Sequence, residues 1–213
     1  EDILDPYGGA FKITKGLSSN FPDRVFTTPI SEAGIVGVAT GLALGGFKPI
    51  VEIMFGDFIT LAFDQILNHA SKYPQMFKGK ACPIVIRTPM GGRRGYGPTH
   101  SQTLEKHFIG IPGLNTIAIN EFIDIKKCYD YAINQESPTL IIENKSLYNK
   151  ENILIHDSTF LDQYECFIEF KDENIHHIYF DRSQETDVVI ITYGGMTEIT
   201  IEAALKLILE FEI

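Results

Sequence analysis

The sequence predicts an α/β fold, a mostly parallel sheet with helices on both faces. Three observations predict it. Short apolar runs alternate along the chain with stretches of helical spacing. The runs are apolar on both alternating faces, as strands buried on both sides of a parallel sheet must be. The composition is that of an ordinary globular protein: 44% hydrophobic and 22% charged in 213 residues, which excludes collagen, coiled coil and a disordered chain.

The elements follow in order. Arg24–Phe26 reads as a short strand ending at Thr27-Thr28-Pro29. Ser31 is a helix N-cap residue, and Glu32 to Gly45 has small-residue helical spacing. Pro49–Ile53 is the next strand. Asp57, itself a good N-cap, opens a helix to Ser71 with Ile59, Phe63, Ile66 and Ala70 on one stripe. Pro83–Arg87 is an apolar strand, followed by a long glycine-rich loop. Thr116–Ile119 is a strand, Phe122–Asn134 a helix and Thr139–Ile142 a strand. Open sheets of this kind bind ligands beyond the carboxyl ends of their strands.

The pattern fades in residues 150–186, which read as an irregular linker between a first domain, 1–149, and a second beginning at 187. Asp187–Thr192 reads as a buried strand, and Thr197–Glu212 as a helix with Ile201, Ala204, Leu205 and Ile208 inward. One strand and one helix cannot close a core, since a domain needs on the order of 50 residues. The chain is therefore expected to stop inside its second domain, and its abrupt start at Glu1 reads as a fragment end as well.

Charge and cysteines narrow the function. The net charge is −10, and all of it lies beyond residue 149, because residues 1–149 carry 14 acidic and 14 basic side chains. A nucleic-acid binder would carry a basic face, so no nucleic-acid partner is expected. No apolar stretch spans a bilayer, so no membrane partner is expected either. Cys82, Cys128 and Cys166 are too scattered for a disulfide framework or a zinc site; reduced thiols suit a bacterial cytoplasm or a mitochondrial matrix.

Four constellations carry possible chemistry. Glu32 stands in the first turn of its helix, where the dipole alone accounts for a carboxylate. Its followers Ala33, Gly34, Ile35, Val36 and Gly37 are small or apolar, however, and a carboxyl buried among them has a raised pKa and holds a proton. Phe58 follows a strand's carboxyl end, as a core residue or as an aromatic stacked on a heterocycle. Arg87 to Gln102 reads as a flexible cationic loop, not a P-loop, and His100 at its end is an acid–base candidate or a solvated histidine. Tyr193-Gly194-Gly195 is a tight strand-to-helix connection. By themselves these leave an α/β domain with a possible site at one sheet edge.

Six blocks, in order, then carry a family resemblance: Thr28–Gly37, Glu52–Phe58, Ala62–Ile66 with Asn68, Ile86–Pro89, His100-Ser101-Gln102 and Ile111–Leu114. With them the chain resembles the beta subunit of the thiamine-diphosphate-dependent 2-oxoacid dehydrogenases, the decarboxylating components of the pyruvate, branched-chain and acetoin dehydrogenase complexes. The resemblance implies a transketolase-like pyrimidine-binding domain over 1–149 and the start of a transketolase C-terminal domain from 187. It implies that Glu32 hydrogen-bonds a ring nitrogen of the cofactor's aminopyrimidine, that Phe58 stacks on that ring, and that His100 handles the substrate or the acyl transfer. It places the arginine-rich loop near the entrance, where it would attract an anionic 2-oxo acid.

The same resemblance assigns the diphosphate and its magnesium to an alpha subunit. This chain has Gly56-Asp57-Phe58 where a metal-holding Gly-Asp-Gly would be needed, and Asn68 lies too close to serve, so no metal ligand is expected. Gln135 stands where an Asp is common in the family's potassium site. The implied partners are the alpha subunit, a second beta subunit in a heterotetramer and a lipoyl-bearing acyltransferase. The chain alone is expected to be inactive. The alternatives are an acetoin dehydrogenase or other transketolase-like subunit, and a non-catalytic assembly module.

Overall fold

The computed structural model describes residues 1–92, 94–153, 158–172, 175–181, 183 and 188–211. The first part is α1 (Leu17–Asn20), α2 (Glu32–Leu44), β1 (Ile50–Glu52), α3 (Tyr73–Met76), β2 (Val85–Met90), β3 (Asn115–Ile119), α4 (Ile125–Ile133) and β4 (Thr139–Asn144). The four strands form one sheet in the order β1-β2-β4-β3, parallel throughout. This is the predicted α/β class.

Both faces are covered, which is why the strands read as continuous apolar runs. On one face Val36, Ala39 and Ala43 of α2, with Ile59, Ile66 and Ala70, pack on Ile84, Ile86, Met90, Leu140 and Ile142. On the other, Cys128 and Ala132 of α4 cover Val85, Ile119 and Ile141. The alternation 84/86 against 85, and 140/142 against 141, is the pleat of a strand buried on two sides. Burial pushes the thiols of Cys82, Cys128 and Cys166 up to about 11, so they act as small apolar groups.

Several expectations are corrected. The segment from Asp57 to Ser71 is not one α-helix: Gly56–Ala62 is a 3-10 helix and Gln65–Ala70 is wound as a π-helix. Thr60 Oγ1 donates back to the Asp57 carbonyl and Ser71 Oγ to that of Leu67, local bonds that distort a regular ladder. Asp57 is not the N-cap; Phe55 is, and the Asp57 carboxylate accepts from Gln102 instead. Arg24–Phe26 joins no sheet, and Phe26 is exposed.

Residues 150–186 are not irregular throughout. Their described part holds an antiparallel sheet, β5 (Ser158–Leu161), β6 (Cys166–Asp172) and β7 (Ile175–Tyr179). Its inner residues Leu161, Cys166 and Ile168 pack with Phe122, Tyr164 and Ile201, the last from α5 (Thr197–Phe211). The buried strand expected over Asp187–Thr192 is not formed in Val188–Thr192, and Ile191 is 91% exposed; Asp187 lies outside the described residues. A strand is stable only with a ladder partner, and among the described residues this segment has none. No described helix is long and apolar enough to cross a membrane.

Glu121, just past β3, is buried, and among the described residues neither of its carboxyl oxygens has a hydrogen-bond partner. Desolvation pushes its pKa up, with Lys150 a weaker opposing charge. An acid whose folded pKa is raised destabilises the fold above that pKa, and the loss is recovered as pH falls toward the unfolded value of 4.5. Glu121→Gln should therefore raise the thermal midpoint at pH 7 by roughly 2–4 °C, the equivalent of about 1 kcal/mol. The gain should shrink as the melts are repeated toward pH 4.5. An equal gain at every pH would show that the charge is not the cause.

Candidate functional site

The carboxyl ends of β1 and β2 and the head of α2 carry the candidate residues. Ser31 caps α2 by accepting from the Gly34 amide at 3.3 Å. Glu32 is thereby fixed as the first helical residue, 6% exposed, at the positive end of the helix dipole. Among the described residues no group donates a hydrogen bond to its carboxyl. Glu1 lies close enough for the two charges to interact: burial first, and then the Glu32 charge, push the Glu1 carboxyl up. The Met54 amide works weakly against that rise, and Glu1 Oε1 is buried without a partner among the described residues.

Met54 leads into Phe55-Gly56-Asp57-Phe58. A side chain at Gly56 would run into Met90, so the loop can lie against β2 only with glycine there. This presents two aromatic rings to the imidazole of His100, Phe55 at 4.8 Å and Phe58 at 5.1 Å, both edge-to-face. Phe58 and His100 are thus brought together. Glu32 reaches this cluster through Glu1 and Met54, not through a hydrogen bond to His100.

The His100 segment is pinned from three sides. Gln102 Nε2 donates to Asp57 Oδ1 at 2.8 Å, the Gly91 amide donates to the Gln102 carbonyl at 3.1 Å, and the Leu104 amide meets Met90 Sδ at 3.4 Å. Lys145, just past β4, donates to the His100 carbonyl. The loop is therefore less free than its glycines suggested.

Arg87 does not belong to that loop. It lies within β2, 5% exposed, with Glu52 of β1 and Glu143 of β4 on its guanidinium. It cannot attract a substrate anion. Arg94 lies over the Phe11 ring at 5.8 Å, and Arg93 is outside the described residues. Asn68 donates to Asp64 on the surface. Gly194 has φ +58°, and a side chain at Gly195 would meet Asn144, so Tyr193-Gly194-Gly195 is a tight connection packed on the sheet.

Glu1 and Lys145 were not singled out in the sequence, and Phe55 and Gln102 stood there only inside longer blocks. A chain-initial acid, an aromatic beside a strand and a lone lysine after one all read as ordinary residues. The Phe-Gly-Asp-Phe spacing held a signal for the second aromatic.

The model of one family, described as the pyrimidine binding domain of transketolase, matches residues 1–151. The chain belongs to that family. Its similarity to curated relatives is also extensive. The beta subunit of acetoin:2,6-dichlorophenolindophenol oxidoreductase from Cupriavidus necator is 38% identical over 204 residues, 95% of this chain and 56% of the relative. The mitochondrial pyruvate dehydrogenase E1 component subunit beta-1 of Arabidopsis thaliana is 36% identical over 203 residues, 94% and 53%. The Bacillus subtilis acetoin:2,6-dichlorophenolindophenol oxidoreductase subunit beta is 41% identical over 155 residues, 72% and 45%. The chain spans about half the length of the curated relatives it matches.

The pyrimidine-binding domain therefore comprises the parallel sheet with α2 and α4, and membership places the chain in a thiamine-diphosphate-dependent group of enzymes. The residues present fit the pyrimidine half of that cofactor. Glu1 has an orphaned buried oxygen and interacts with the charge of buried Glu32, and the Phe55 and Phe58 rings lie together just beyond Met54; an aminopyrimidine offers the ring face and the hydrogen-bonding nitrogens that suit acids and rings of this kind.

Proposed function

We propose that this chain is the pyrimidine-binding part of the beta subunit of a thiamine-diphosphate-dependent 2-oxoacid dehydrogenase, which decarboxylates a 2-oxo acid oxidatively and passes the acyl group to a lipoyl domain. The observation that carries the reading is the buried, donor-free Glu32 carboxyl at the capped head of α2. Thiamine diphosphate, when bound, supplies the electron-accepting thiazolium that a 2-oxo acid needs to lose carbon dioxide. Glu32 would hold a proton at a pyrimidine nitrogen. Phe58 would offer its face or edge to that ring. His100, held between Phe55 and Phe58, would orient the substrate or exchange a proton with it.

Asp57 is turned to Gln102 through Oδ1 and Asn68 faces solvent with Asp64, which supports a diphosphate and magnesium site on another subunit. The alpha subunit is proposed to hold the diphosphate and magnesium, so the active site forms between subunits, with a second beta subunit completing a heterotetramer and a lipoyl-bearing acyltransferase as acceptor. Residues 1–149 are proposed as the pyrimidine domain, and 187 as the start of the next. A bacterial cytoplasm or a mitochondrial matrix is the proposed location.

The test is reconstitution of the full-length beta chain with its alpha chain. Carbon dioxide release is followed with pyruvate, branched-chain 2-oxo acids and, as a comparison, acetoin consumption. Turnover of at least one 2-oxo acid, dependent on both thiamine diphosphate and the alpha chain, is expected. Turnover of acetoin alone would reassign the chain to an acetoin dehydrogenase, and turnover by the beta chain alone would remove the shared site.

A further inference from the structure

We propose that Lys145 is a positioning residue for His100, an internal cation that fixes the His-Ser-Gln segment against the sheet; the catalytic half of this proposal rests on the function proposed above. Lys145 is fully buried, at 0% exposure, which is rare for a lysine. It follows directly on β4, whose last residues pair with Pro89 and Met90 of β2. Its root is therefore as rigid as the centre of the sheet.

The head of this side chain is placed by three kinds of contact. Nζ donates to the carbonyl of His100. It lies 5.2 Å from the centroid of the Phe55 ring and 5.7 Å from that of Tyr96, both within the range of a cation over an aromatic face. The Asp57 carboxylate is its opposing charge, which partly offsets the cost of burial. Asp57 in turn accepts from Gln102, two residues beyond His100. The segment is thus bracketed by Lys145 at the His100 carbonyl and Asp57 at the Gln102 side chain, a cation and an anion that neutralise each other.

A buried ammonium that only filled space would be replaced at no loss by an apolar side chain of the same length. One that holds a carbonyl would not, because the main chain of His100 keeps besides it only the bond from its amide to the Gly97 carbonyl, a long 3.4 Å, while the remaining contacts of His100 are made by its ring. Nor is the ammonium placed as a substrate cation, since a carbonyl and two ring faces already surround it.

The test compares Lys145→Met and Lys145→Arg in the full-length beta chain, first without cofactor by amide hydrogen exchange, then assembled with the alpha chain by kinetics. In Lys145→Met the Gln102 and Leu104 amides should exchange at least tenfold faster, while those of β2 and β4 stay unchanged. In the assembled enzyme kcat should fall at least tenfold with KM within threefold, and Lys145→Arg should recover part of both effects. Unchanged exchange at Gln102 and Leu104 overturns the proposal. So does faster exchange with unaltered kcat, or a tenfold rise in KM alone, which would make Lys145 a substrate ligand. Lys145→Gln replaces the Met variant if that variant fails to fold. The exchange measurement involves no turnover, so a failure of the proposed activity would leave it standing and distinguishable.

Discussion

Replacement of Arg87 by Met should lower the stability of this chain by about 3–5 kcal/mol, or roughly 6–20 °C in the thermal midpoint. The reason is the company Arg87 keeps. Its Nε donates to Glu143 Oε1 at 2.9 Å, its two other nitrogens reach Glu143 and Glu52, and Tyr129 and Tyr148 each donate to Glu143 at 2.6 Å. Burial works against the charge on Glu143, but the guanidinium and the two phenols outweigh it and hold its pKa below the usual value. Glu52 has only one of its oxygens bonded, and burial pushes its pKa up. Removal of the cation strands two acids between three strands. Removal of the whole network should not: a Glu52→Leu, Arg87→Met, Glu143→Leu variant that also carries Tyr129→Phe and Tyr148→Phe should regain most of the loss, because apolar groups carry no desolvation cost. The acid side has a sign of its own. Stability from Glu143 is complete above its unfolded pKa of 4.5 and is lost as pH falls through its lowered folded value. Chemical denaturation of the two variants and the wild type across pH 3–7 checks both statements. A single Arg87→Met change costing under 1 kcal/mol would show the network to be ornamental.

Arg87 also shows where sequence reading stops. Its strand was legible, since Ile84 and Ile86 alternate with Val85 and the two-faced apolar run has few other homes. Its role was not. An arginine two residues before a Pro-Met-Gly-Gly stretch reads as the first residue of a cationic loop, because nothing local reveals that Glu52 and Glu143, 35 and 56 residues away, lie on flanking strands. Helix α2 was legible to within a residue because its cap chemistry is local. The strands β5 to β7 were missed for the opposite reason: outward acids such as Glu169 alternate with inward Cys166 and Ile168, so the segment looked polar although its period of two was present. The site divides in the same way. Glu32 stood out by its neighbours in the chain and His100 by its loop, and Phe58 joined them through its position after a strand. Glu1, Phe55 and Lys145 acquire meaning only when the sheet brings residues 1, 54–58, 100 and 145 to one edge.

The contrasting prediction concerns Glu32. In the beta chain assembled with its alpha chain, Glu32→Gln should lower kcat by roughly 10²–10⁴-fold, the range for loss of a positioned proton-holding group. Its effect on stability should be small. Glu32 gains from the dipole of α2, worth about 0.3–1 kcal/mol, but its buried charge also repels that of Glu1, and a neutral amide gives up both. The thermal midpoint should therefore move by no more than about 2 °C, using the scaling for domains of this size. Arg87 and Glu32 are buried alike, yet one variant should destabilise the protein without touching the proposed chemistry, and the other should stop the chemistry in a protein of nearly unchanged stability. The cause lies in the partners. Arg87 is answered by acids on its flanking strands, whereas Glu32 has no donor among the described residues, which leaves its carboxyl open to a group from another molecule. Kinetics and melts on the same Glu32→Gln preparation decide the matter. Turnover within threefold of wild type would mean that the donor-free carboxyl is a helix-end ornament and that the pyrimidine is held elsewhere.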